Sequence, residues 1–297
     1  ASDVYKRQHL RKVQPQSCEE MIDDMRYRWV KVNPYKGNGI GRIISMFSFV
    51  TKLYCNYRRY LRNFKPDIVI ASSTYPLDIY PAYRIARHYH AKLIYEVHDL
   101  WPLSPMELGG YSKKHPFIRI MQKAEDDCYR YADAVVSMLP KAEEHMREHG
   151  LTRDKFHYVP NGIVLSDWNN PKGIPEEHGL LLSKLRAEGK FIVGFAGAHG
   201  IANSLYAVID AVSSLTEQNV VLVLVGGGQE KENLIKYAHK KGVTNVYFLL
   251  PINKLAIPNL LKEMDVLYIG LQKQSLFRFG ISPNKMFDYM MAAKPII

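Results

Sequence analysis

Short β-branched runs alternate with amphipathic stretches along this 297-residue chain from Pro66 onward. The runs predict strands at 67–71, 92–96, 134–138, 156–159, 191–196, 220–225, 246–250 and 266–270. The stretches between them predict helices at 77–89, 117–131, 141–149, 204–215, 229–241, 257–263 and 284–293. Such alternation is typical of parallel βαβ units, with helices covering both faces of the sheet. It predicts an α/β fold with two Rossmann-like domains facing an interdomain cleft, and ligands at the carboxyl ends of the strands.

A turn-rich stretch around Asn169-Asn170-Pro171-Lys172-Gly173 interrupts this rhythm once. We therefore predict an N-terminal domain over 9–170, a linker over 171–190 and a C-terminal domain over 191–297. Residues 1–8 are expected to be non-native, because they lack an initiating Met and resemble translated sequencing-adapter sequence. The end at Ile297 falls in a strand that is just beginning, so the chain is expected to be a piece truncated at both ends and inactive as it stands.

Composition excludes several classes of protein. Only three widely spaced cysteines are present, which excludes a disulfide framework and fits a reducing compartment. No apolar run reaches the ~18 residues that a membrane span requires. The chain is therefore expected to bury ordinary hydrophobic cores.

Basic residues are concentrated before the first of these strands. The formal net charge is +11, and residues 1–64 hold thirteen Lys and Arg against five Asp and Glu. Apolar residues at helical spacing near 41–63, interleaved with Lys52, Arg58, Arg59 and Arg62, predict a long basic amphipathic helix. This helix is either an ordinary domain helix with a solvated basic face or a segment that docks on an anionic membrane. Nucleic acid is not expected as a partner, because no zinc spacing, RNA-binding motif or obvious helix-turn-helix accompanies the charge.

Two glycine-rich turns follow predicted strands of the second domain. Gly194-Phe195-Ala196-Gly197-Ala198-His199-Gly200 precedes a helix, so its backbone N–H groups could hold a phosphate. Gly226-Gly227-Gly228 follows the next strand. No clean dinucleotide fingerprint is present, and no well-placed acidic residue ends the strand 220–225, which argues against NAD. Each turn is therefore either a phosphate-binding loop or a tight turn without a ligand.

His98 and Asp99 directly follow the strand predicted at 92–96. Side chains at the carboxyl end of a parallel strand project into the ligand crevice. The pair either performs acid–base chemistry and contacts sugar hydroxyls or serves only the local structure.

The segment 280–291 carries the strongest chemical signal. Ser282 is the predicted N-cap of the last helix, and Pro283 suits its first position. Lys285 then lies in the first turn, where the helix dipole disfavours a cation and a bound diphosphate would offset that penalty. Asp288 falls on the same side three residues later and can accept hydrogen bonds from ribose or sugar hydroxyls.

In this order, these segments resemble the family-4 (group 1) glycosyltransferases of the GT-B fold. The similarity is to the branch that builds bacterial capsule, O-antigen and exopolysaccharide repeats, and it extends from about residue 37 to the end. The segments that carry it are Lys65-Pro66-Asp67-Ile68-Val69-Ile70-Ala71-Ser72-Ser73, His98-Asp99-Leu100-Trp101-Pro102, Val159-Pro160-Asn161-Gly162-Ile163, Val225-Gly226-Gly227-Gly228 and Ser282-Pro283-Asn284-Lys285-Met286-Phe287-Asp288-Tyr289-Met290.

The resemblance implies a retaining transfer of a sugar from a nucleotide-diphosphate donor, with UDP expected by analogy. The C-terminal domain would hold the donor and the N-terminal domain the acceptor. No cofactor and no metal is expected, because backbone amides, a helix N-terminus and basic side chains stabilise the leaving diphosphate in this family. His98 and Asp99 are implied to be catalytic. Donor binding is implied for Gly197, His199, Asn203, Gly227, Ser282, Asn284, Lys285 and Asp288.

The chain departs from the family pattern at three places. Gly280 stands where the first of two acidic residues is usual, so Asp288 is the only remaining carboxylate of that pair. His199 and Asn203 occupy the region where Arg and Lys are usual, which assigns more of the diphosphate contact to Lys285. Ala293 replaces a usual Gly, at about 1 kcal/mol if the left-handed helix end is kept.

The resemblance also implies partners and a location. The expected acceptor is a polyprenyl-diphosphate-linked saccharide, and the expected location is cytoplasmic, peripheral at the inner face of the bacterial plasma membrane. Two alternatives remain open. One is a hydrolysing nucleotide-sugar epimerase of the same fold, and the other is a non-catalytic sugar-nucleotide-binding subunit, which Gly280 favours.

Overall fold

The structure is a computed structural model that describes residues 18–22, 24–35 and 39–297. The chain divides into two compact units. The first comprises the described residues up to Val159 together with Arg278–Gly280, and the second comprises Pro160–Phe277 and Ile281–Ile297. Residues 1–8, which we expected to be non-native, lie outside the described part of the chain.

The first unit contains a hairpin and a four-stranded parallel sheet of order β3-β4-β5-β6. Its strands are β1 (Cys18–Ile22), β2 (Met25–Trp29), β3 (Ile68–Ala71), β4 (Lys92–Val97), β5 (Ala134–Ser137) and β6 (Phe156–Tyr158). Its helices are α1 (Ile40–Tyr60), α2 (Ile79–Tyr89), α3 (Leu103–Gly109), α4 (Pro116–Tyr131) and α5 (Glu143–Glu148). The βαβ alternation predicted from the sequence is confirmed here, whereas the hairpin and α3 were not predicted.

The long basic helix predicted near 41–63 is present as α1. Met46, Val50 and Tyr57 face inward and are buried. Met46 and Val50 pack with Leu77 of the following turn and Met121 of α4. The opposite face leaves Arg58 and Arg59 exposed, as the helical spacing of the apolar residues requires.

Strand β3 is less buried than its apolar sequence indicates. Ile68 and Ile70 are 55% and 57% exposed, although a buried strand was predicted. The reason is position, because β3 is the edge strand of its sheet and pairs only with β4 among the described strands. The described residues leave the face that carries these two isoleucines uncovered.

The second unit contains another four-stranded parallel sheet, of order β10-β7-β8-β9. Its strands are β7 (Phe191–Ala196), β8 (Val220–Val225), β9 (Val246–Leu249) and β10 (Val266–Leu267). Its helices are α6 (Leu165–Asn169), α7 (Glu176–Ala187), α8 (Leu205–Ser213), α9 (Lys231–Lys240), α10 (Ile257–Lys262) and α11 (Asn284–Met291). The chain runs from β7 outward to β9 and then returns to place β10 on the other side of β7. This reversal creates a topological switch point beside β7, where α/β sheets bind ligands.

Helix α7 lies within the stretch that was predicted to be a linker. Leu182 and Leu185 are each 1% exposed and join the core formed by Ile192 of β7 and Leu261 of α10. The sequence obscured this helix because Leu180 is 66% exposed beside the buried leucines, which blurs the apolar periodicity.

Candidate functional site

The two glycine-rich turns lie side by side at the carboxyl edge of the second sheet. Ala196 at the end of β7 pairs in register with Val225 at the end of β8. Backbone hydrogen bonds then tie the turns together: the Gly197 N–H donates to the Val225 carbonyl at 3.0 Å, and the His199 N–H to that of Gly227 at 2.8 Å. The turns therefore form one backbone platform at the switch point.

Glycine is required at this platform for steric reasons. Gly226 has a φ of +149°, and a Cβ there would collide with the carbonyl oxygen of Gly197. Gly228 has a φ of +152°, and a Cβ there would lie 2.5 Å from the carbonyl oxygen of His199. Side chains are excluded because the two backbones approach each other so closely.

Lys285 projects from the first turn of α11 toward this platform. Its Nζ donates a hydrogen bond to Asn203 Oδ1 at 2.6 Å and lies 4.3 Å from the centre of the Phe195 ring. Asn203 Nδ2 in turn donates to the Ala198 carbonyl of the first turn at 2.9 Å. Burial lowers the pKa of Lys285 from 10.5 to about 8. The ammonium thus faces two unfavourable influences, desolvation and the helix dipole.

Tyr289 fixes helix α11 against the sheet. Its side chain is 1% exposed, and its hydroxyl accepts a hydrogen bond from the Ala196 N–H at 3.1 Å. Burial raises the pKa of Tyr289 to about 12, so the phenol stays neutral. This contact holds the first turn of α11 beside the end of β7, and sequence reasoning had assigned no role to Tyr289.

His199 is fully buried within the platform. Neither ring nitrogen has a hydrogen-bond partner among the described residues. Burial, followed by the charges of Lys231 and Lys285, lowers the pKa of His199 to about 4, so the imidazole is neutral at pH 7. An unpaired buried imidazole is costly, so the platform holds His199 in its neutral form at an energetic penalty.

Lys231 is a second half-buried cation at the platform, and the sequence analysis did not identify it. Its Nζ donates hydrogen bonds to the carbonyl oxygens of Gly226 at 2.8 Å and Leu249 at 2.6 Å. Desolvation lowers its pKa. The signal that identified Lys285, a lysine in the first turn of a helix, also applies to Lys231 at the first position of α9.

The predicted capping role of Ser282 is wrong. The N-cap of α11 is Pro283, and no side chain caps the helix. Ser282 instead contacts Asn161: its Oγ accepts from the Asn161 N–H at 3.3 Å, and its carbonyl accepts from Asn161 Nδ2 at 2.6 Å. Because Pro283 already supplies the extended residue before the helix, the Ser282 hydroxyl lies too early in the chain to cap it. Asn284 is exposed at the first helical position.

Asp288 lies on α11, one turn after Lys285, and contacts a tryptophan. Its Oδ1 accepts a hydrogen bond from Trp168 Nε1 at 3.3 Å. Burial raises the pKa of Asp288, with the nearby Lys254 opposing the shift. The fold brings together five of the residues that the sequence predicted for donor binding: Gly197, His199, Asn203, Gly227 and Lys285. Ser282 and Asp288 lie farther out, before and along α11.

His98 and Asp99 follow β4 in the first unit, as predicted, but their side chains differ in how freely they can contact a ligand. His98 Nε2 lies 2.9 Å from Ser72 Oγ and 3.4 Å from Glu96 Oε2, and the imidazole is 35% exposed. Asp99 is half-buried, and its Oδ1 accepts from Ser104 Oγ at 2.5 Å. Desolvation raises the pKa of Asp99. His98 can thus contact a ligand, whereas Asp99 holds the turn that carries it.

Gly280, at the usual position of an acidic residue, has a steric reason to lack a side chain. Its φ is +96°, and a Cβ would lie 2.6 Å from Cδ of Pro140 in the same unit. The segment is anchored there, because the Lys141 N–H donates to the Phe279 carbonyl at 3.0 Å and Arg278 forms two hydrogen bonds with the Glu107 carboxylate. A carboxylate side chain at residue 280 would therefore require this segment to move.

Comparison with protein families now identifies the relationship. Residues 7–162 match the family described as glycosyl transferase 4-like domain, and residues 182–297 match glycosyl transferases group 1. The chain belongs to the group 1 glycosyl transferases. This confirms the resemblance seen in the sequence motifs.

Individual relatives agree with this family. The chain is 24% identical over 215 residues to TuaH of Bacillus subtilis (strain 168), a protein named for teichuronic acid biosynthesis and glycosyl transfer. The match covers 69% of this chain and 50% of TuaH, so the chain spans about half the length of the curated relative it matches.

Solved structures of glycosyltransferases share the fold. Anabaena Alr3699/HepE in complex with UDP matches with a TM-score of 0.60 at 17% identity, over 86% of this chain and 64% of that chain. WaaG, a glycosyltransferase involved in lipopolysaccharide biosynthesis, matches with a TM-score of 0.60 at 16% identity, over 89% of this chain and 66% of that one. Sucrose-phosphate synthase from Thermosynechococcus elongatus gives 0.68 at 13% identity, over 96% and 68% respectively. The predicted GT-B fold class is confirmed.

The described helices were compared with the length and apolar character that a membrane-spanning helix requires. Within the described ranges, no helix has both the length and the apolar character needed to cross a bilayer.

Proposed function

We propose that this group 1 glycosyl transferase moves a sugar from a nucleotide-diphosphate donor to a saccharide acceptor, with the donor bound by the second unit. The observation that carries the proposal is the Lys285 ammonium, held beside the glycine platform by Asn203. Burial and the helix dipole both disfavour a cation there, and a bound diphosphate would reverse both effects. The leaving group of such a transfer is that same diphosphate.

The residues around Lys285 suit different parts of a donor. Backbone N–H groups in the first turn of α11 would donate to phosphate oxygens, as helix N-termini do. Lys285 would place its charge on the diphosphate as negative charge develops during bond cleavage. Asp288, one turn further along α11, would accept hydrogen bonds from ribose or sugar hydroxyls.

We infer that UDP is the nucleotide and that the transfer retains the anomeric configuration. Support for UDP comes from the Alr3699/HepE structures, which are complexes with UDP and with UDP-glucose. Support for retention comes from the family resemblance alone. No metal step is needed in this scheme, since lysine and backbone N–H groups supply the positive charge.

The acceptor side of the proposal rests on His98 in the first unit. His98, Ser72 and Glu96 form a polar group at the end of β4, with hydrogen-bond distances of 2.6–2.9 Å around the Ser72 hydroxyl. Such a group can contact sugar hydroxyls and exchange protons with them. Asp99 would act as a positioning residue through its bond to Ser104.

A lipid-linked acceptor at an anionic membrane is the finer part of the proposal, and α1 supports it. Ile40 and Ile44 are 76% and 49% exposed near the start of this helix, and Arg58 and Arg59 are exposed near its end. A helix that exposes apolar side chains toward one end and basic side chains toward the other can contact an anionic lipid surface with both. The acceptor would then be a polyprenyl-diphosphate-linked saccharide at the inner face of the plasma membrane.

Calorimetry with UDP tests the donor assignment. UDP is expected to bind the chain, and Lys285→Ala and Asp288→Ala are each expected to weaken it by at least tenfold. Lys236→Ala removes an exposed lysine of α9 and should leave affinity unchanged. Unchanged affinity in both site variants would refute the donor site.

Vesicle sedimentation tests the membrane assignment. The chain is expected to bind vesicles containing phosphatidylglycerol, and the double variant Arg58→Ser, Arg59→Ser should bind them more weakly. Added salt should weaken the binding that the double variant retains, because it screens the attraction between the remaining basic residues and the anionic lipid. The matched control is Lys236→Ser, Lys240→Ser, which removes equal charge from an exposed face of α9. Equal loss in both double variants would contradict a role for α1.

The epimerase and the non-catalytic subunit make different predictions. An epimerase acts on the nucleotide sugar without an acceptor, so NMR of a UDP-sugar incubated with protein alone would show a second epimer. A non-catalytic subunit would bind UDP-sugar without consuming it, with or without acceptor. The steric exclusion of a side chain at Gly280 is the observation that favours the latter. Release of UDP only when acceptor is added would support the transferase.

A further inference from the structure

A cluster of metal-ligand side chains lies in the first unit, among residues that the proposed transfer does not use. Glu125 of α4, His145 of α5 and His149 directly after α5 each offer one ligand atom, and these atoms lie within 4.8 Å of one another. Glu125 and His145 are 1% and 12% exposed, and His149 is 27% exposed. The cluster is thus mostly enclosed, with access from the His149 side.

Helical spacing explains why the two histidines converge. His145 and His149 are four residues apart, so they project from the same side of the α5 turn, and their ring centres are 4.7 Å apart. Two histidines at this spacing on a helix are a recurrent zinc-binding arrangement. Glu125 supplies a carboxylate, since its Oε1 lies 3.3 Å from His145 Nε2.

One pair of ligand atoms has the spacing that a small divalent cation requires. Zinc binds imidazole nitrogen and carboxylate oxygen at about 2.0–2.2 Å, which in a tetrahedral site separates two ligand atoms by roughly 3.3 Å. The Glu125–His145 pair already has this separation. Asp126 Oδ1 lies 3.0 Å from His149 Nδ1 and would orient that ring by a hydrogen bond, as outer partners do at metal sites.

The surroundings favour a positive charge at this point. The Glu125 carboxylate of the cluster is almost completely removed from water, and the Asp126 carboxylate lies beside His149. Gln122 donates from Nε2 to Glu125 at 2.8 Å and to Asp126 at 2.9 Å, and its Nε2 lies 2.8 Å from His149 Nδ1. Tyr129 donates to Glu125 Oε1 at 2.9 Å. These neutral donors add no competing cation, and because His149 Nδ1 already contacts Gln122 and Asp126, His149 would bind the metal through Nε2.

We propose that Glu125, His145 and His149 form a structural zinc site that joins α4 to α5. Mixed imidazole and carboxylate ligands select zinc over magnesium or calcium, which prefer oxygen ligands alone. Bound metal would also fix His145 against Phe279, whose ring centre lies 5.5 Å away. This site is separate from the donor-binding residues and supplies no step of the transfer.

Cobalt and zinc titrations of the purified, metal-stripped chain test the site. We expect one Co²⁺ per chain with the visible absorption of tetrahedral cobalt, displacement of that signal by Zn²⁺, and a melting temperature raised by about 5 °C with excess zinc. Mg²⁺ should neither compete nor stabilise.

Two variants and one control make the outcome decisive. His149→Ala removes the most exposed histidine ligand without opening the core and should weaken Zn²⁺ binding by about 100-fold. Glu125→Gln keeps the acceptor for Tyr129 and should also abolish the cobalt spectrum. His157→Ala removes an exposed histidine of β6 and should bind as the parent does. Absence of a tetrahedral cobalt spectrum, or zinc affinity equal in folded His149→Ala and the parent, would overturn the proposal.

Discussion

Lys285→Met replaces the ammonium beside the glycine platform with an uncharged side chain of similar length. If the diphosphate contacts Lys285, UDP affinity should fall, because a hydrogen bond to a charged group contributes about 1.5–3 kcal/mol, or roughly 10- to 150-fold in affinity. The same substitution should stabilise the ligand-free protein at pH 7, since it removes a cation that burial disfavours.

The size of that stabilisation follows from the lowered pKa. A fall from 10.5 to about 8 corresponds to about 3.4 kcal/mol at 1.36 kcal/mol per pKa unit. Solvent screening of a half-buried side chain reduces this to about 1–2 kcal/mol. Because the unfolded lysine keeps its proton up to its ordinary pKa, stability of the parent protein rises between pH 8 and 10.5, and the advantage of Lys285→Met disappears across that window.

Two assays measure these effects. Calorimetry gives UDP affinity, and urea unfolding followed by tryptophan fluorescence at pH 7 and pH 10 gives stability. Lys236→Met, at an exposed position on α9, is the matched control and should change neither quantity by more than about 0.5 kcal/mol. The reasoning is refuted if Lys285→Met binds UDP as the parent does, or if it lowers the free energy of unfolding at pH 7.

Three further substitutions test the packing around these elements. Ala293→Gly should stabilise the chain by about 1 kcal/mol in urea unfolding, because Ala293 has a left-handed φ of +51°. Ala292 lies in the right-handed region, so Ala292→Gly should destabilise the chain by about the same amount. The opposite signs for the two variants would contradict the helix-end geometry. Burial raises the pKa of Asp78 to about 6, so the folded state of the parent protein loses stability as pH rises from 3.8 to 6. Asp78→Asn should therefore stabilise the chain by about 2–3 kcal/mol at pH 7 and leave its stability unchanged below pH 4. Equal stability of parent and variant at pH 7 would contradict this. Gly226→Ala should lower stability by about 1–3 kcal/mol and weaken UDP binding, because its Cβ would collide with the Gly197 carbonyl; a neutral effect in both assays would show that the turns can separate.

The strands of the second sheet were predictable because their apolar runs are continuous. Strand β8 occupies the predicted residues, Val220–Val225, and strand β7 does as well, Phe191–Ala196. A strand buried on both faces needs no pattern other than an uninterrupted apolar run, which flanking polar residues and glycine delimit.

Elements whose signal depends on tertiary context were not predictable. Helix α7 buries Leu182 and Leu185 but leaves Leu180 exposed, so its sequence lacks a clean amphipathic period. Strand β3 is as apolar as β8, yet Ile68 and Ile70 are exposed, because edge position is a property of the sheet and not of the segment.

The candidate site was predictable in its residue types but not in its pairings. Lys285 was identified because a lysine in a first helical turn opposes the dipole. Its partner Asn203 lies 82 residues earlier, and Trp168 lies 120 residues before Asp288. Only the fold brings such pairs together, and only burial makes Tyr289 a positioning residue.

The central claim is that the glycine platform and the first turn of α11 bind the donor diphosphate, and hydrogen exchange measured with and without saturating UDP tests it most directly. The account predicts slower amide exchange at 197–203, 226–228 and 284–287 when UDP is present, with exchange in α1 unchanged. UDP binding that slows exchange elsewhere and leaves those three segments unaffected would contradict the account.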